Sequence, residues 1–287
     1  MFDPLAQPIH YQTLDYRGVQ LTIKRLDQIH PNISGNKFFK LKYNFLAAKD
    51  QGCTHVLTFG GAFSNHIAAT AYAAHYFGFK SIGIIRGEEL AHRPLNATLQ
   101  TAQRLGMQLY FVSREQYRQK QHSQIVAQIL AASTNTYLIP EGGSNNLAVA
   151  GCREILSVDD QNNFDIICAP VGTGGTLAGL IEASHAAQQV LGFSALKGDF
   201  LQKDIQQWTQ KTNWSITDRF CEGGYAKTSP ALLAFITHIE QQYQLPLEQV
   251  YTAKMLRGVM SLIDEGYFSP DQRILLIHTG GLQGRIS

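Results

Sequence analysis

Between residues 50 and 150, short β-rich runs alternate with helix-length segments without interruption, and this rhythm constrains the fold more than any other property of the chain. The runs are His55-Val56-Leu57-Thr58-Phe59, Ser81-Ile82-Gly83-Ile84-Ile85, Gln108-Leu109-Tyr110-Phe111-Val112 and Tyr137-Leu138-Ile139. Apolar strands joined by long crossovers describe a parallel sheet, because a tight hairpin joins only antiparallel neighbours. A further run, Phe164-Asp165-Ile166-Ile167-Cys168-Ala169, opens onto a glycine-rich turn and a helical pattern over residues 176–191. Arg273-Ile274-Leu275-Leu276-Ile277 supplies a late strand. These two belong to a second lobe. The polar stretch 203–217 mixes Gln, Asn, Lys and Trp without a clear period. The class expected is therefore α/β and two-lobed, with parallel twisted sheets flanked by helices and a cleft between the lobes.

Size and charge narrow the function. A chain of 287 residues lies near the length at which single cores divide, so two lobes of one enzyme are expected. With 16% charged residues, a net charge of +2 and no basic block or aromatic-interleaved stripe, the chain has nothing suited to a nucleic-acid backbone. The N-terminus lacks a basic start followed by an apolar run, and no stretch approaches bilayer-spanning length, so a cytoplasmic protein without a membrane partner is expected. Cys53, Cys152, Cys168 and Cys221 are scattered without C-x-x-C spacing and suggest neither a metal site nor a disulfide framework.

The chemistry is sought at strand ends, where α/β sheets carry it. Ser34-Gly35-Asn36-Lys37-Phe38-Phe39-Lys40-Leu41-Lys42 sets a lysine beside a flexible glycine ahead of a helical segment. A lysine there is either a solvated surface charge or an amine able to condense with an aldehyde such as that of pyridoxal phosphate. Gly172-Thr173-Gly174-Gly175-Thr176 follows a strand and precedes a helix, so its amides can converge on a phosphate. Three glycines and two hydroxyls exceed what a tight turn needs. Leu177 stands where a dinucleotide fingerprint would need glycine, and no Gly-Lys-Ser/Thr is present, so a smaller phosphorylated cofactor fits better. Gly60-Gly61-Ala62-Phe63-Ser64-Asn65-His66 also joins a strand to a helix and suits a carboxylate, with Ser64 or Asn65 serving equally as N-cap. Glu141-Gly142-Gly143-Ser144-Asn145-Asn146 is expected at the cleft or hinge. Val250-Tyr251-Thr252-Ala253-Lys254 and Ile277-His278-Thr279-Gly280-Gly281 complete the set. Tyr251 alone reads equally as packing at a helix start, and Thr279 as a strand-terminating hydroxyl.

In this order, over nearly the whole length, these motifs resemble the pyridoxal-phosphate enzymes of the tryptophan-synthase-β-like fold, in the branch of D-cysteine desulfhydrase and 1-aminocyclopropane-1-carboxylate deaminase. The resemblance implies a larger cofactor-binding domain made of residues 1–43 and 149–287, with a small α/β domain, residues 44–148, inserted within it. It implies that Lys37 carries the cofactor aldehyde and that Asn65 bonds the ring oxygen. Gly172, Thr173, Gly174, Gly175 and Thr176, with Lys40, would hold the phosphate, and Thr279 would meet the ring nitrogen. Ser64 and the following amides would take the substrate carboxylate, with Asn65, His66 and Thr252 also at the substrate. Tyr251 would face the substrate, and Tyr225, in Gly223-Gly224-Tyr225-Ala226, is similar to a second active-site tyrosine of the family. Lys37, Ser64, Tyr251 and Tyr225 are thus the catalytic candidates. The resemblance also implies a homodimer and a small amino-acid substrate.

Two positions separate the branches. After the Val-Tyr pair this chain has Thr252, as the desulfhydrases do, where the deaminases have glutamate, and His66 stands where the deaminases have glutamine. A hydroxyl at the pyridine nitrogen leaves the ring nearly neutral, enough to lose a thiolate but less suited to opening a cyclopropane. The expected reaction is α,β-elimination from D-cysteine to pyruvate, sulfide and ammonia, the D-preference resting on the resemblance. Deamination of 1-aminocyclopropane-1-carboxylate, dehydratase-like elimination from serine or threonine, a non-catalytic pyridoxal-phosphate carrier and a plain phosphate-ligand binder are the alternatives. The chain is short for the family, and Ala62-Phe63 and Phe38-Phe39 replace more polar residues, which suggests a bulkier apolar pocket.

Overall fold

The computed structural model describes residues 1–133 and 135–285. Among these residues ten strands form two sheets: β1 (Tyr11–Tyr16), β2 (Val19–Arg25), β3 (His55–Gly60), β4 (Lys80–Arg86), β5 (Met107–Val112), β6 (Thr136–Leu138), β7 (Ile166–Val171), β8 (Gln189–Ser194), β9 (Trp214–Thr217) and β10 (Ile274–His278). One sheet has the order β5-β4-β3-β6 and is parallel throughout. The other has the order β1-β2-β10-β7-β8-β9, parallel except for the β1–β2 pair. The four-stranded sheet takes its strands from residues 55–138, and the six-stranded sheet from the chain on both sides of that stretch.

The four expected strands of the first lobe appear within a residue or two of their sequence positions, because each is an apolar run bounded by polar or glycine residues. Three features differ from the sequence reading. The β1–β2 hairpin was not anticipated. Its two-residue turn places Arg17 at φ 53° and Gly18 at φ 81°, the geometry whose twist matches antiparallel strands, but arginine in the first position hides the usual Asn-Gly or Asp-Gly signal. The helical pattern over residues 176–191 proves to be a helix, Gly175–Ala183, followed by strand β8. Ser184 turns the chain into extended backbone, and β8 then lies between β7 and β9 with a nearly continuous buried surface, so its apolar run mimics helix periodicity. Residues 203–217, without period in the sequence, hold the end of the helix Phe200–Gln206 and the four-residue edge strand β9.

The largest core cluster joins the helix Asn36–Asp50 to both sheets. Phe2, Phe38 and Phe45 are buried there, with Phe2 meeting Phe38 edge-on at 5.4 Å between ring centroids. Each such ring contributes about 1.5–3 kcal/mol by leaving water, enough to anchor the helix that carries Lys37. Phe38 and Phe39 are therefore core residues, only 2% and 5% exposed, and the apolar pocket expected from them does not form. Phe63 is 69% exposed.

Among the described residues no helix is long and apolar enough to cross a membrane. Nor, among them, do three or more His, Cys, Asp or Glu side chains come together as a metal site would require.

Candidate active site

The loop before Lys37 is fixed by a contact that only glycine permits. Gly35 adopts φ +68°, and a Cβ there would lie 1.9 Å from the carbonyl oxygen of Thr279. That carbonyl accepts the amide of Asn36 at 3.2 Å, joining the start of the Lys37 helix to the end of β10. The end of β10 is itself pinned by His278, which is buried. Its Nε2–H donates to the Pro246 carbonyl at 2.8 Å, and its Nδ1 accepts the Gly280 amide at 3.3 Å. Burial holds this imidazole below its ordinary pKa, against the opposing charge of Asp27, whose carboxylate lies 3.2 Å from Nδ1. Ser34 adds a hydroxyl bond to the Asp27 carbonyl, 3.0 Å, from the same turn.

Two amines lie side by side within this frame. Lys37 is half-buried, and its Nζ donates to Asn36 Oδ1 at 2.8 Å; Asn36 in turn donates through Nδ2 to Thr176 Oγ1 at 2.8 Å. Lys40, one turn on, is 2% exposed. Its Nζ donates to the Gly142 carbonyl and Ser144 Oγ, both 2.7 Å, and to Thr173 Oγ1 at 3.2 Å. Burial lowers Lys37 from the ordinary 10.5 to about 8. Burial, together with the charge of Lys37, lowers Lys40 to about 7. Every oxygen bonded to these amines is uncharged, so neither amine has a carboxylate bonded to it.

The glycine-rich turn Gly172–Thr176 lies against Lys40 and Ser144. A Cβ on Gly175 would stand 2.9 Å from Ser144 Oγ and 3.3 Å from Lys40 Cε, so only a bare backbone leaves room for the lysine at the helix N-terminus. On Gly172, a Cβ would stand 3.0 Å from the Tyr251 ring, which places that tyrosine at the other edge of the same turn. Ser144, expected only at a cleft or hinge, is thus part of the cup. Amides of a helix N-terminus, two hydroxyls and a buried amine lacking an anion match a phosphate dianion, and a neighbouring amine with a lowered pKa matches an aldehyde. The residues present therefore fit pyridoxal phosphate.

The loop after β3 forms the facing wall. Ser64 caps the helix Asn65–Phe77 by accepting the Ile67 amide at 3.2 Å. Asn65 accepts Gln283 Nε2 at 2.5 Å through its Oδ1, and its Nδ2 would lie 2.7 Å from a Cβ on Gly281. His66 is set behind this surface, 2% exposed. The Thr58 hydroxyl gives its hydrogen to the Ile139 carbonyl at 2.9 Å, so at 2.7 Å it must accept His66 Nε2–H. That leaves Nδ1 as a buried acceptor without a partner, and burial with the two lysines keeps the ring neutral. Thr252 is likewise set back, at 0% exposure. Thr279 is 9% exposed, and its hydroxyl forms no hydrogen bond with the described residues.

Sequence reasoning missed what holds the tyrosines. Glu248 is buried, and its carboxylate accepts the amides of Val250 (2.7 Å), Tyr251 (2.8 Å) and Thr252 (2.6 Å) and the Thr252 hydroxyl (3.2 Å). Burial raises its pKa while those bonds lower it, and it caps the helix Thr252–Asp264 from three residues before the N-cap Tyr251. An acidic residue shortly before a helix start was the available signal. From the same helix, buried Lys254 donates to the carbonyls of Cys221 at 2.9 Å and Gly224 at 3.0 Å. The tethered loop is strained, with Glu222, Gly223, Gly224 and Ala226 all at positive φ, and it presents Tyr225 to the cleft. The Tyr225 and Tyr251 rings lie 6.2 Å apart. Burial, then Tyr225, holds the Tyr251 hydroxyl protonated far above neutral pH.

A two-lobed α/β frame with a lysine amine facing an anion cup defines a cofactor-dependent enzyme of amine chemistry. The chain belongs to the family of pyridoxal-phosphate dependent enzymes, whose family model matches residues 7–280. Within it the chain falls in the D-cysteine desulfhydrase/1-aminocyclopropane-1-carboxylate deaminase group. It is 30% identical to a putative 1-aminocyclopropane-1-carboxylate deaminase of Thermotoga maritima, over 93% of this chain and 90% of the relative. It is 29% identical to a mitochondrial bifunctional D-cysteine desulfhydrase/1-aminocyclopropane-1-carboxylate deaminase of Arabidopsis thaliana, over 98% of this chain and 77% of that protein. The fold matches the crystal structure of a 1-aminocyclopropane-1-carboxylate deaminase homologue with a TM-score of 0.85, at 24% identity over 98% of this chain and 91% of that one. The protein is thus a pyridoxal-phosphate-dependent enzyme.

Proposed function

We propose that the protein catalyses α,β-elimination from a small amino acid, D-cysteine before others, giving pyruvate, sulfide and ammonia. In this reading Lys37 holds the cofactor, and Lys40, Ser144, Thr173 and the amides of residues 172–176 hold its phosphate. Asn65 and Thr279 flank the ring. When bound, pyridoxal phosphate supplies a sink for the electron pair left at the substrate Cα. The Ser64 hydroxyl and the amides beside it orient the substrate carboxylate. The lowered pKa of Lys37 favours a neutral amine that takes the α-proton. Tyr251, kept protonated by burial, and Tyr225 beside it are the donors available to the departing sulfur.

One observation carries the choice of elimination. Two carboxylates stand near the Thr279–Gly281 corner: Asp27, 3.2 Å from His278 Nδ1, is paired with Arg25, and Glu248, whose Cγ would lie 3.1 Å from a Cβ on Gly281, has its oxygens committed to the amides of residues 250–252. A hydroxyl, that of Thr279, is left for the ring nitrogen, which suits loss of a good leaving group. Deamination of 1-aminocyclopropane-1-carboxylate is the second reading, supported by the names of both relatives. The test supplies each compound to the cofactor-loaded protein. Sulfide and pyruvate in equal amounts from D-cysteine, exceeding 2-oxobutanoate from the cyclopropane acid and abolished in Lys37→Ala, are expected. Preferential 2-oxobutanoate would overturn the elimination reading. A homodimer in the cytoplasm is proposed by the family resemblance.

A further inference from the structure

Arg86 has no place in the chemistry above, yet it stands at the cleft. It ends β4, next in the sheet to β3, and the pairing of Gly60 with Ile85 puts it beside the loop Gly60–Asn65. One guanidinium nitrogen, Nη2, would lie 3.6 Å from a Cβ on Gly61. The guanidinium carbon lies 5.8 Å from the centre of the Tyr117 ring and 5.9 Å from that of Tyr225. Two aromatic faces from different parts of the chain thus hold the cation between the carboxylate loop and the catalytic tyrosines.

Its charge is not answered within the protein. The Arg86 side chain is exposed and forms no ion pair and no hydrogen bond with any described residue, although three glutamates lie close by in sequence or space. Glu141 is taken by Lys120 at 2.7 Å and by the Tyr117 hydroxyl. Glu89 faces Arg114 at 4.0 Å, and Glu88 makes no ion pair with the described residues. A fork of five donors, stacked on tyrosines and left without an acceptor, is a ready carboxylate receptor. A substrate with one carboxylate already has the amides around Ser64 for it.

We propose that Arg86 is a specificity determinant that receives a second negative charge, carried on the substrate's side chain, so that the site favours amino acids with an acidic side chain over neutral isosteres. The inference deepens the proposed function and rests on its placement of the α-carboxylate at the Ser64 loop. For cysteine the same guanidinium would stand on the side of the sulfur, where negative charge gathers as the C–S bond breaks and its electron pair stays on sulfur.

The test titrates the pyridoxal-phosphate-loaded protein with succinate and with its monoamide, succinamate, by calorimetry. Aspartate and asparagine, as both enantiomers, are followed by cofactor absorbance. The acidic member of each pair should bind about 10–100-fold more tightly, the worth of a charge-assisted bond. Arg86→Gln should erase that preference, and Arg86→Lys should restore part of it. Equal binding of acid and amide by the wild type would overturn the proposal. So would an equal loss for both members in Arg86→Gln, which would assign the guanidinium to the α-carboxylate. Because binding is read without product, failure of D-cysteine to release sulfide would sink the elimination reading alone.

Discussion

The two ends of the cleft are built differently. At the proposed phosphate end, Lys40 is buried and bonded to three oxygens, Ser144 Oγ among them, Gly175 leaves no room for a side chain, and Asn36 bonds Thr176. At the proposed substrate end, Tyr225 is 42% exposed, Arg86 is exposed, and the Arg86–Tyr225 and Tyr225–Tyr251 contacts are between groups about 6 Å from ring centres. The first is rigid and over-determined, as recognition of a fixed phosphate demands. The second is loose enough to change its substrate by single replacements while the cofactor stays in place.

That contrast can be broken most sharply at Lys40. Lys40→Met removes the one buried charge bonded at the phosphate cup and should weaken pyridoxal-phosphate affinity by about 10–100-fold in a fluorescence titration. Unchanged affinity would mean that the cup does not bind phosphate. The same variant sharpens a pH argument. Without cofactor, the folded protein holds both amines below the ordinary 10.5, so between about pH 7 and pH 10.5 it binds fewer protons than the unfolded chain. Stability of the cofactor-free protein should therefore rise with pH across that window, and Lys40→Met should flatten the rise. A thermal-melting series decides it, and a slope unaffected by the variant would contradict the account.

A smaller effect is expected at the other end. Lys254→Met leaves the carbonyls of Cys221 and Gly224 without their donor and should cost about 1–3 kcal/mol of stability. With the Tyr225 loop loosened, kcat/KM for elimination should fall by less than about tenfold while cofactor affinity holds, since the hydrogen bonds of the Lys254 amine run to that loop. Equal losses of affinity and turnover would show that the two ends are not separable.

The same contrast explains what could be read from the chain alone. Lys37, Lys40 and the turn Gly172–Thr176 announce themselves because amines, glycines and hydroxyls cluster locally at strand ends. Arg86 and Lys254 act through partners far away in sequence and look locally like an ordinary strand end and helix cation, while Glu248 acts on the amides just after it and looks like an ordinary loop acid. The limits of periodicity were similar. Strand β8 lies inside the sheet and carries no alternation to distinguish it from the helix before it. The Arg17-Gly18 turn lacked the asparagine that marks such hairpins. His66 and Thr252, expected at the substrate, proved to be buried supports whose hydrogen bonds run to Thr58 and Glu248.

The most direct test of the central claim, that Lys37 rather than its buried neighbour carries the cofactor, is borohydride reduction of the pyridoxal-phosphate-loaded protein followed by peptide mass mapping. The account predicts a single modified residue, Lys37, with Lys40 unmodified. A label on Lys40, or none on either lysine in a protein that has taken up the cofactor, would contradict it.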